Sequence, residues 1–123
     1  MNDASHRQRL EKQIQEIKVR LVALGDMRPG SLSQQYNVCG KAGCRCKATT
    51  NPKRHGPYYQ LSYVHRGKST SQFIRPWMVK TVKSQIANYK RFRRLTEQWI
   101  ELALSLTKLK LAAAKRKEKN DSN

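Results

Sequence analysis

The hydrophobic positions near the start of the chain follow a helical period. In the segment SHRQRLEKQIQEIKVRLVALG, apolar side chains recur at spacings of three and four, at Leu10, Ile14, Ile17, Leu21 and Leu24. This period places them on one face of an α-helix, and Ser5 and Gly25 suit its beginning and its end. We therefore predict a helix over residues 5–24. Its apolar stripe is narrow, so the helix needs a partner.

A second and longer helical pattern occupies the C-terminal part of the chain. From Pro76, a residue suited to the first helical position, apolar residues keep the three-four spacing to about Ala114 with no glycine or proline between. The predicted helix, residues 76–114, would extend on the order of 55 Å. A small globule cannot cover that length, so we expect an antiparallel pair with the first helix or a dimeric coiled coil.

Between the helices, the segment YYQLSYVHRGKSTSQFIR alternates apolar and polar positions as a strand does. Arg66 and Gly67 would form a two-residue turn, which gives a β-hairpin over residues 58–75 with His65 opposite Lys68. One face of this hairpin is apolar and must pack on a helix; it carries Tyr59, Leu61, Tyr63 and Ile74. The opposite face is polar apart from its aromatic side chains, and it carries Tyr58, Gln60, Ser62, Ser71, Phe73 and Arg75.

The segment before the hairpin, residues 25–57, has the composition of a loop. It contains five of the six glycines and three of the four prolines. A compact domain rarely tolerates a structureless loop of this length, so something must hold it together or it is disordered. These elements predict an α+β fold in one small domain, residues 1–114, followed by a disordered basic tail at residues 115–123.

The net charge of the chain indicates what kind of partner it binds. The chain has 26 Lys and Arg against 8 Asp and Glu, and no acidic residue lies between Met27 and Thr96. Positive charge over so much of the chain repels itself, and a polyanion relieves this repulsion best. Basic side chains that bind phosphates also release condensed counterions, which favours binding. No transmembrane segment or secretory signal is evident. We expect a cytoplasmic protein that binds nucleic acid and not a membrane.

The cysteines supply the candidate chemistry. Cys39, Cys44, Cys46 and His55 form a C-x4-C-x-C-x8-H pattern, a ligand set that Zn²⁺ prefers. A structural zinc ion would hold the long loop together, since metal binding here contributes folding free energy. Free thiols in a mobile loop, or a redox or nucleophilic cysteine, are the alternatives. His55 is the favoured fourth ligand, and His65 at the predicted turn is the second choice.

Catalysis finds little support in the sequence. No paired carboxylates, phosphate-binding glycine loop or nucleophile elbow occurs. A hydrolytic zinc site would keep an open position and usually a carboxylate base, and neither is evident. We therefore predict a protein that is not an enzyme.

Basic residues instead interleave with aromatic and hydrogen-bonding ones, as at a nucleic-acid surface. The predicted contacts are Arg28, Lys41, Arg45, Lys47, Lys53, Arg54, Tyr58, Arg66, Lys68, Arg75, Lys90, Arg91, Arg93 and Arg94. DNA is slightly favoured over RNA as the partner, and a homodimer is possible. The alternative function is a protein-interaction or assembly adaptor for a larger nucleic-acid enzyme or ribonucleoprotein.

Three motifs carry a resemblance to a known family. The stretches RPGSL, CGKAGCRC and HGPY resemble those of an uncharacterised family of small basic prokaryotic proteins, over roughly residues 27–94, with the N-terminal helix outside the match. Ala42 stands where that family has a proline. The resemblance implies a metal-binding fold and, because such genes often lie near transposases and other mobile elements, a DNA-related role. It supplies no established activity.

Overall fold

The computed structural model describes residues 3–121. Five regular elements make up this part of the chain: helix α1 (Asp3–Val22), strands β1 (Ser31–Asn37), β2 (His55–His65) and β3 (Lys68–Ile74), and helix α2 (Val79–Asp121). The α+β class predicted from the sequence is confirmed. Within the described residues, no helix has the apolar length that crossing a bilayer requires.

The chain divides into two compact units. The first contains the residues up to Gly25 together with those from Lys90 onward, and the second is Asp26–Tyr89. The sequence predicted a single small domain. The number of domains stays a prediction, but the apolar residues do form two separate clusters, one between helices and one between the sheet and the first turns of α2.

The first unit is an antiparallel helix pair. Leu10 and Ile14 of α1 are buried with Leu106 of α2, as the three-four spacing of both segments predicts. The exposed ion pairs between the two helices add little stability. The order of the paired residues shows that the helices run antiparallel. The ion pairs are Asp3 with Arg116 and Glu11 with Lys110, and the cation–π contact of Lys18 with Trp99 continues the same order.

Helix α2 continues beyond the predicted end at Ala114. It runs to Asp121, so most of the segment predicted as a disordered tail is helical. Lys, Arg and Glu are good helix formers, and neither glycine nor proline interrupts the segment AKRKEKND. Residues 122 and 123, the end of the predicted tail, lie outside the described residues.

The second unit contains a three-stranded antiparallel sheet in the order β1-β2-β3. The predicted hairpin forms β2 and β3, with His65 opposite Lys68. Arg66 and Gly67 form the turn between them, and both have positive φ, 51° and 77°. This conformation matches the right-handed twist of the flanking strands.

Strand β1 lies inside the segment predicted as a loop. It pairs with β2 from Ser31 opposite Ser62 to Asn37 opposite His55, with an irregularity between Gln35 and Asn37. The sequence SLSQQYN is polar because β1 is an edge strand that contributes one apolar side chain, Leu32, to the core. The apolar alternation that marks a strand is therefore nearly missing from it.

One face of the sheet carries the core of the second unit. Leu61 and Val82 are almost fully buried, and Ile74 and Ile86 complete the cluster. The first turns of α2 thus cover the face that the predicted register made apolar. The smallness of this cluster leaves the segment between β1 and β2 with little apolar support.

Candidate metal centre

The cysteines and His55 lie where β1 ends and β2 begins. Cys39 follows β1, Cys44 and Cys46 flank the start of a 3₁₀ turn at Arg45–Lys47, and His55 is the first residue of β2. Antiparallel pairing of Asn37 with His55 brings the two ends of the segment together. The sheet therefore positions the first and last of the four side chains.

The intervening segment, residues 38–54, turns back on itself with few regular hydrogen bonds. The N–H of Lys47 donates to the carbonyl of Cys44 at 3.0 Å, and that of Lys53 donates to Arg45 at 3.0 Å. Gly56 has φ of 135°, and a Cβ there would lie 2.8 Å from the carbonyl oxygen of Gln35. A glycine is therefore required where β2 passes β1 beside the cluster.

The four side chains converge on one point. Their ligand atoms all lie within 4.8 Å of one another. The Sγ atoms of Cys39 and Cys46 are 3.6 Å apart, and Cys44 Sγ is 3.1 Å from His55 Nε2. All three cysteines are free thiols.

These separations fit a metal ion. In a tetrahedral site with metal–sulfur bonds of about 2.3 Å, two sulfur atoms lie about 3.8 Å apart. Cys46 is buried, with 3% of its surface exposed, and the other three side chains are half-buried. Three sulfurs and an imidazole nitrogen form a complete four-ligand set, so the cluster is compatible with metal binding.

Two of the cysteines are biased toward the thiolate form. The backbone N–H of Cys46, followed by hydrogen bonds from the neighbouring side chains, lowers the pKa of Cys44 to about 6. The backbone N–H of Lys41 lowers the pKa of Cys39. Because the thiolate is the form that binds metals, both shifts favour the ligand form of these groups.

The pKa values of the remaining two groups are raised, for different reasons. Burial raises the pKa of Cys46, and hydrogen bonds to Cys44 and Cys39 raise the pKa of His55. The raised pKa of His55 favours a proton on its imidazole beside the cysteine sulfur atoms. A bound cation would replace that proton and leave His55 neutral, as ligation requires.

The structure thus brings together all four residues that the sequence singled out. His65, the second choice for the fourth position, is not in the cluster; it lies exposed at the end of β2, beside the turn. Sequence spacing could not decide between the two histidines. The pairing of β1 with β2 decides it, and β1 was not predicted.

The predicted nucleic-acid contacts in residues 38–54 surround this cluster. Five basic side chains are exposed on the segment, and they are Lys41, Arg45, Lys47, Lys53 and Arg54. The segment contains no acidic residue, and the nearest ones in sequence are Asp26 and Glu97. The cluster is therefore bordered by positive charge.

The contacts predicted on the sheet are less uniform. Tyr58, Arg66, Lys68 and Arg75 are exposed on or beside β2 and β3. Arg28 is half-buried instead, with its guanidinium carbon 5.7 Å from the centre of the Tyr63 ring. Its Nε is buried and has no hydrogen-bond partner within residues 3–121. Arg28 therefore packs against Tyr63, and its contact with a phosphate stays a prediction.

The basic run on α2 belongs to the first unit. Lys90, Arg91, Arg93 and Arg94 are all exposed there. Arg91 and Arg94 line an open cavity of about 420 Å³ with Arg20 of α1. The residues predicted to contact nucleic acid therefore fall on two separate units.

Sequence reasoning placed Phe73 on the polar face of the hairpin but did not include it among the site residues. Its ring packs edge-on against Tyr58, with ring centres 6.4 Å apart and an interplanar angle of 68°. Phe73 is 64% exposed and Tyr58 is 41% exposed. Strand alternation alone gave the signal, since it put both rings on one face.

Comparison with known families matches residues 7–84. The match includes most of α1, the whole sheet and the four-residue cluster, so it starts earlier than the predicted extent of 27–94. Comparisons with curated proteins and with solved structures return no match. The chain belongs to the family described as Domain of unknown function (DUF6788).

Proposed function

We propose that this protein is a nucleic-acid-binding accessory module built around a structural zinc ion. The observation that carries the proposal is the charge of the second unit. Asp26–Tyr89 contains eleven Lys and Arg, and its single acidic residue is Asp26 itself. Exposed basic side chains border the Cys39, Cys44, Cys46 and His55 cluster. Like charges so close together repel one another, so they do not stabilise a compact fold unless an anionic partner binds there.

Zinc suits the cluster best among common metal ions. Three thiolates and an imidazole favour a borderline-soft cation, whereas Mg²⁺ and Ca²⁺ take oxygen ligands. Four protein ligands leave no open position for a substrate, which is typical of structural sites. We therefore propose a structural role for the metal and no catalytic role for the protein.

The basic surface would act through phosphates. Three thiolates around Zn²⁺ carry a net charge of about −1, which the five basic residues on residues 38–54 outweigh. The surplus attracts a polyanion, and counterion release then drives binding. A DNA partner, a cytoplasmic location and a link to mobile elements are proposed from the family resemblance and the composition.

Salt dependence tests this function. We expect the zinc-loaded protein to bind labelled nucleic acid. The logarithm of its binding constant should fall linearly with the logarithm of the salt concentration. The double variant Lys53→Ala/Arg54→Ala should lower the slope by about 1 to 2, because each lost phosphate contact removes about 0.7 to 0.9. The matched control Lys115→Ala/Lys117→Ala, on the last turns of α2, should leave the slope nearly unchanged. An interaction insensitive to salt would refute the proposal.

A protein-interaction adaptor, or a homodimer, is the second candidate. Ile100, Leu104 and Leu111 follow helical spacing on α2 and are 59%, 54% and 58% exposed. Such a stripe is typical of a helix that packs against another protein. A partner that stays bound after nuclease treatment and at high salt, and is lost in Leu104→Glu, would favour this function.

A further inference from the structure

The sheet of the second unit has one face that the core does not use. Alternation along the strands separates this outer face from the buried one that carries Leu61. Its centre is formed by the pairs Gln35–Tyr58, Gln60–Phe73 and Ser62–Ser71. We use the name outer face for these six residues.

The outer face presents two aromatic rings to solvent. Tyr58 and Phe73 pack edge-to-face and are more exposed than any side chain of the core. Phe73 has no polar atom that would favour exposure, so leaving it in water costs free energy that burial would recover. Adjacent exposed rings of this kind mark a binding surface.

The polar groups around the rings are uncharged. The Gln35 amide donates to the Gln60 side chain at 2.6 Å, and the Ser62 and Ser71 hydroxyls lie 3.1 Å apart. These contacts hold the side chains in place. Amides and hydroxyls retain further donors and acceptors, which suits the edges of nucleobases.

The charge at the rim has one sign. Arg75 follows β3 with extended φ and ψ of −65° and 143°, so it continues the alternation on which Phe73 lies. The outer face contains no carboxylate, and no acidic residue occurs from Met27 to Thr96. A phosphate backbone carries negative charge along its whole length and so complements this rim, whereas a protein partner would need an acidic group placed opposite Arg75.

We propose that the outer face binds single-stranded nucleic acid, with bases stacked on Tyr58 and Phe73 and phosphates near Arg75. The inference rests on the proposed function and names its substrate class. Exposed aromatic rings on a sheet stack unpaired bases, because every base has a π-face and a duplex hides those faces inside its own stack. Basic loops alone would bind a duplex as well.

The test compares three single strands of equal charge, and a duplex is added as a fourth probe. Labelled single strands of DNA and RNA of about 12 nucleotides, an abasic strand of the same length and a DNA duplex are titrated with the zinc-loaded protein. We expect the two base-bearing strands to bind at least about tenfold more tightly than the abasic strand. The DNA and RNA arms show which backbone the protein prefers.

Variants on the outer face locate the effect. Phe73→Ala and Tyr58→Ala should each weaken single-strand binding about fivefold or more and leave duplex and abasic binding within about twofold. Phe73→Tyr should retain wild-type affinity. Trp77→Ala is the matched control, because Trp77 is 76% exposed in the 3₁₀ turn after β3 and is not part of the outer face.

The outcomes separate this inference from the function on which it rests. Equal binding of the base-bearing and abasic strands, unchanged in Phe73→Ala, would overturn the inference and leave the proposed function intact. Binding of none of them at low salt would overturn both. Sedimentation of the wild type and of Phe73→Ala tests whether a second copy of the chain occupies the outer face instead. A wild-type dimer that dissociates in Phe73→Ala would show that it does, and would also overturn the inference.

Discussion

Cys44 is the residue of the candidate metal centre whose proton chemistry can be tested most directly. Its Sγ lies within hydrogen-bonding distance of His55, and its position at the start of the 3₁₀ turn points it toward the backbone N–H of Cys46. The same contacts would orient it toward a cation. Two predictions follow from this residue.

The first concerns metal content. Purified wild-type protein should contain about one zinc ion per chain, while Cys44→Ser should lose most of it, since hydroxyl oxygen is a poor substitute for a thiolate at zinc. Elemental analysis by mass spectrometry measures this directly. His65→Ala is the control and should retain the metal, because His65 lies outside the cluster. A folded wild type without metal would contradict the assignment.

The second concerns pH. In the metal-free protein, the pKa of about 6 for Cys44 means that its thiolate forms as pH rises through about 6 and is nearly complete at neutral pH. Alkylation by iodoacetamide, followed by peptide mass spectrometry, should therefore label Cys44 with a rate that rises around pH 6 and then levels off. An ordinary thiol rises around pH 8.5. A rate for Cys44 that rises only there would disagree with the cluster geometry, and added zinc should suppress labelling.

At this scale the sequence identified the residue types but not their full arrangement. The C-x4-C-x-C spacing was sufficient to select Cys39, Cys44 and Cys46 as candidate ligands, because thiolates are among the ligands that zinc prefers. The choice of His55 over His65 depends on strand pairing across many residues. Arg28 was predicted as a phosphate contact from its charge, and its packing on Tyr63 could not be seen in the sequence.

Among the elements, β1 depends on one backbone position at its start. Gly30 has φ of 131°, and a Cβ there would lie 2.8 Å from the carbonyl oxygen of Ser62. Replacing it adds conformational strain and pushes β1 away from β2.

Gly30→Ala should therefore lower the free energy of unfolding by about 1–3 kcal/mol, measured by urea denaturation of the zinc-loaded protein. Gly40→Ala is the matched control, since a Cβ at Gly40 meets no atom within 4 Å. Equal stability of the two variants would show that β1 is not held as closely as described.

The predictability of each element follows from how much apolar surface it buries. α1 and the hairpin of β2 and β3 bury regular apolar faces, and the sequence predicted both. β1 buries only Leu32 of its seven residues in the core, so its hydrogen bonds hold it in place, and hydrogen bonds leave no pattern in the side chains. The helical end of α2 was missed for a related reason, since a charged tail and a charged helix differ little in composition.

For the whole molecule, the two units have different sources of stability. The first relies on an apolar seam between α1 and α2, whereas the second has a four-residue buried cluster and, in our proposal, a metal ion. Metal binding to such a site contributes folding free energy.

Chelation should therefore affect the units differently. Hydrogen exchange read by mass spectrometry should show faster exchange in residues 31–65 after zinc removal, with exchange in residues 99–109 of α2 changed little. Re-addition of zinc should restore the slow exchange. A uniform change along the chain would indicate that both units depend on the metal equally.

The segment 38–54 has a consequence for how the protein meets proteases. Its five exposed basic residues are cleavage sites for trypsin, and irregular exposed segments are where proteases cut first. A bound metal would keep the backbone from adapting to the protease, and bound nucleic acid would cover the side chains that trypsin must recognise. Either ligand would therefore slow brief digestion by trypsin. The residues that attract a polyanion are also the points where an unliganded chain is cut.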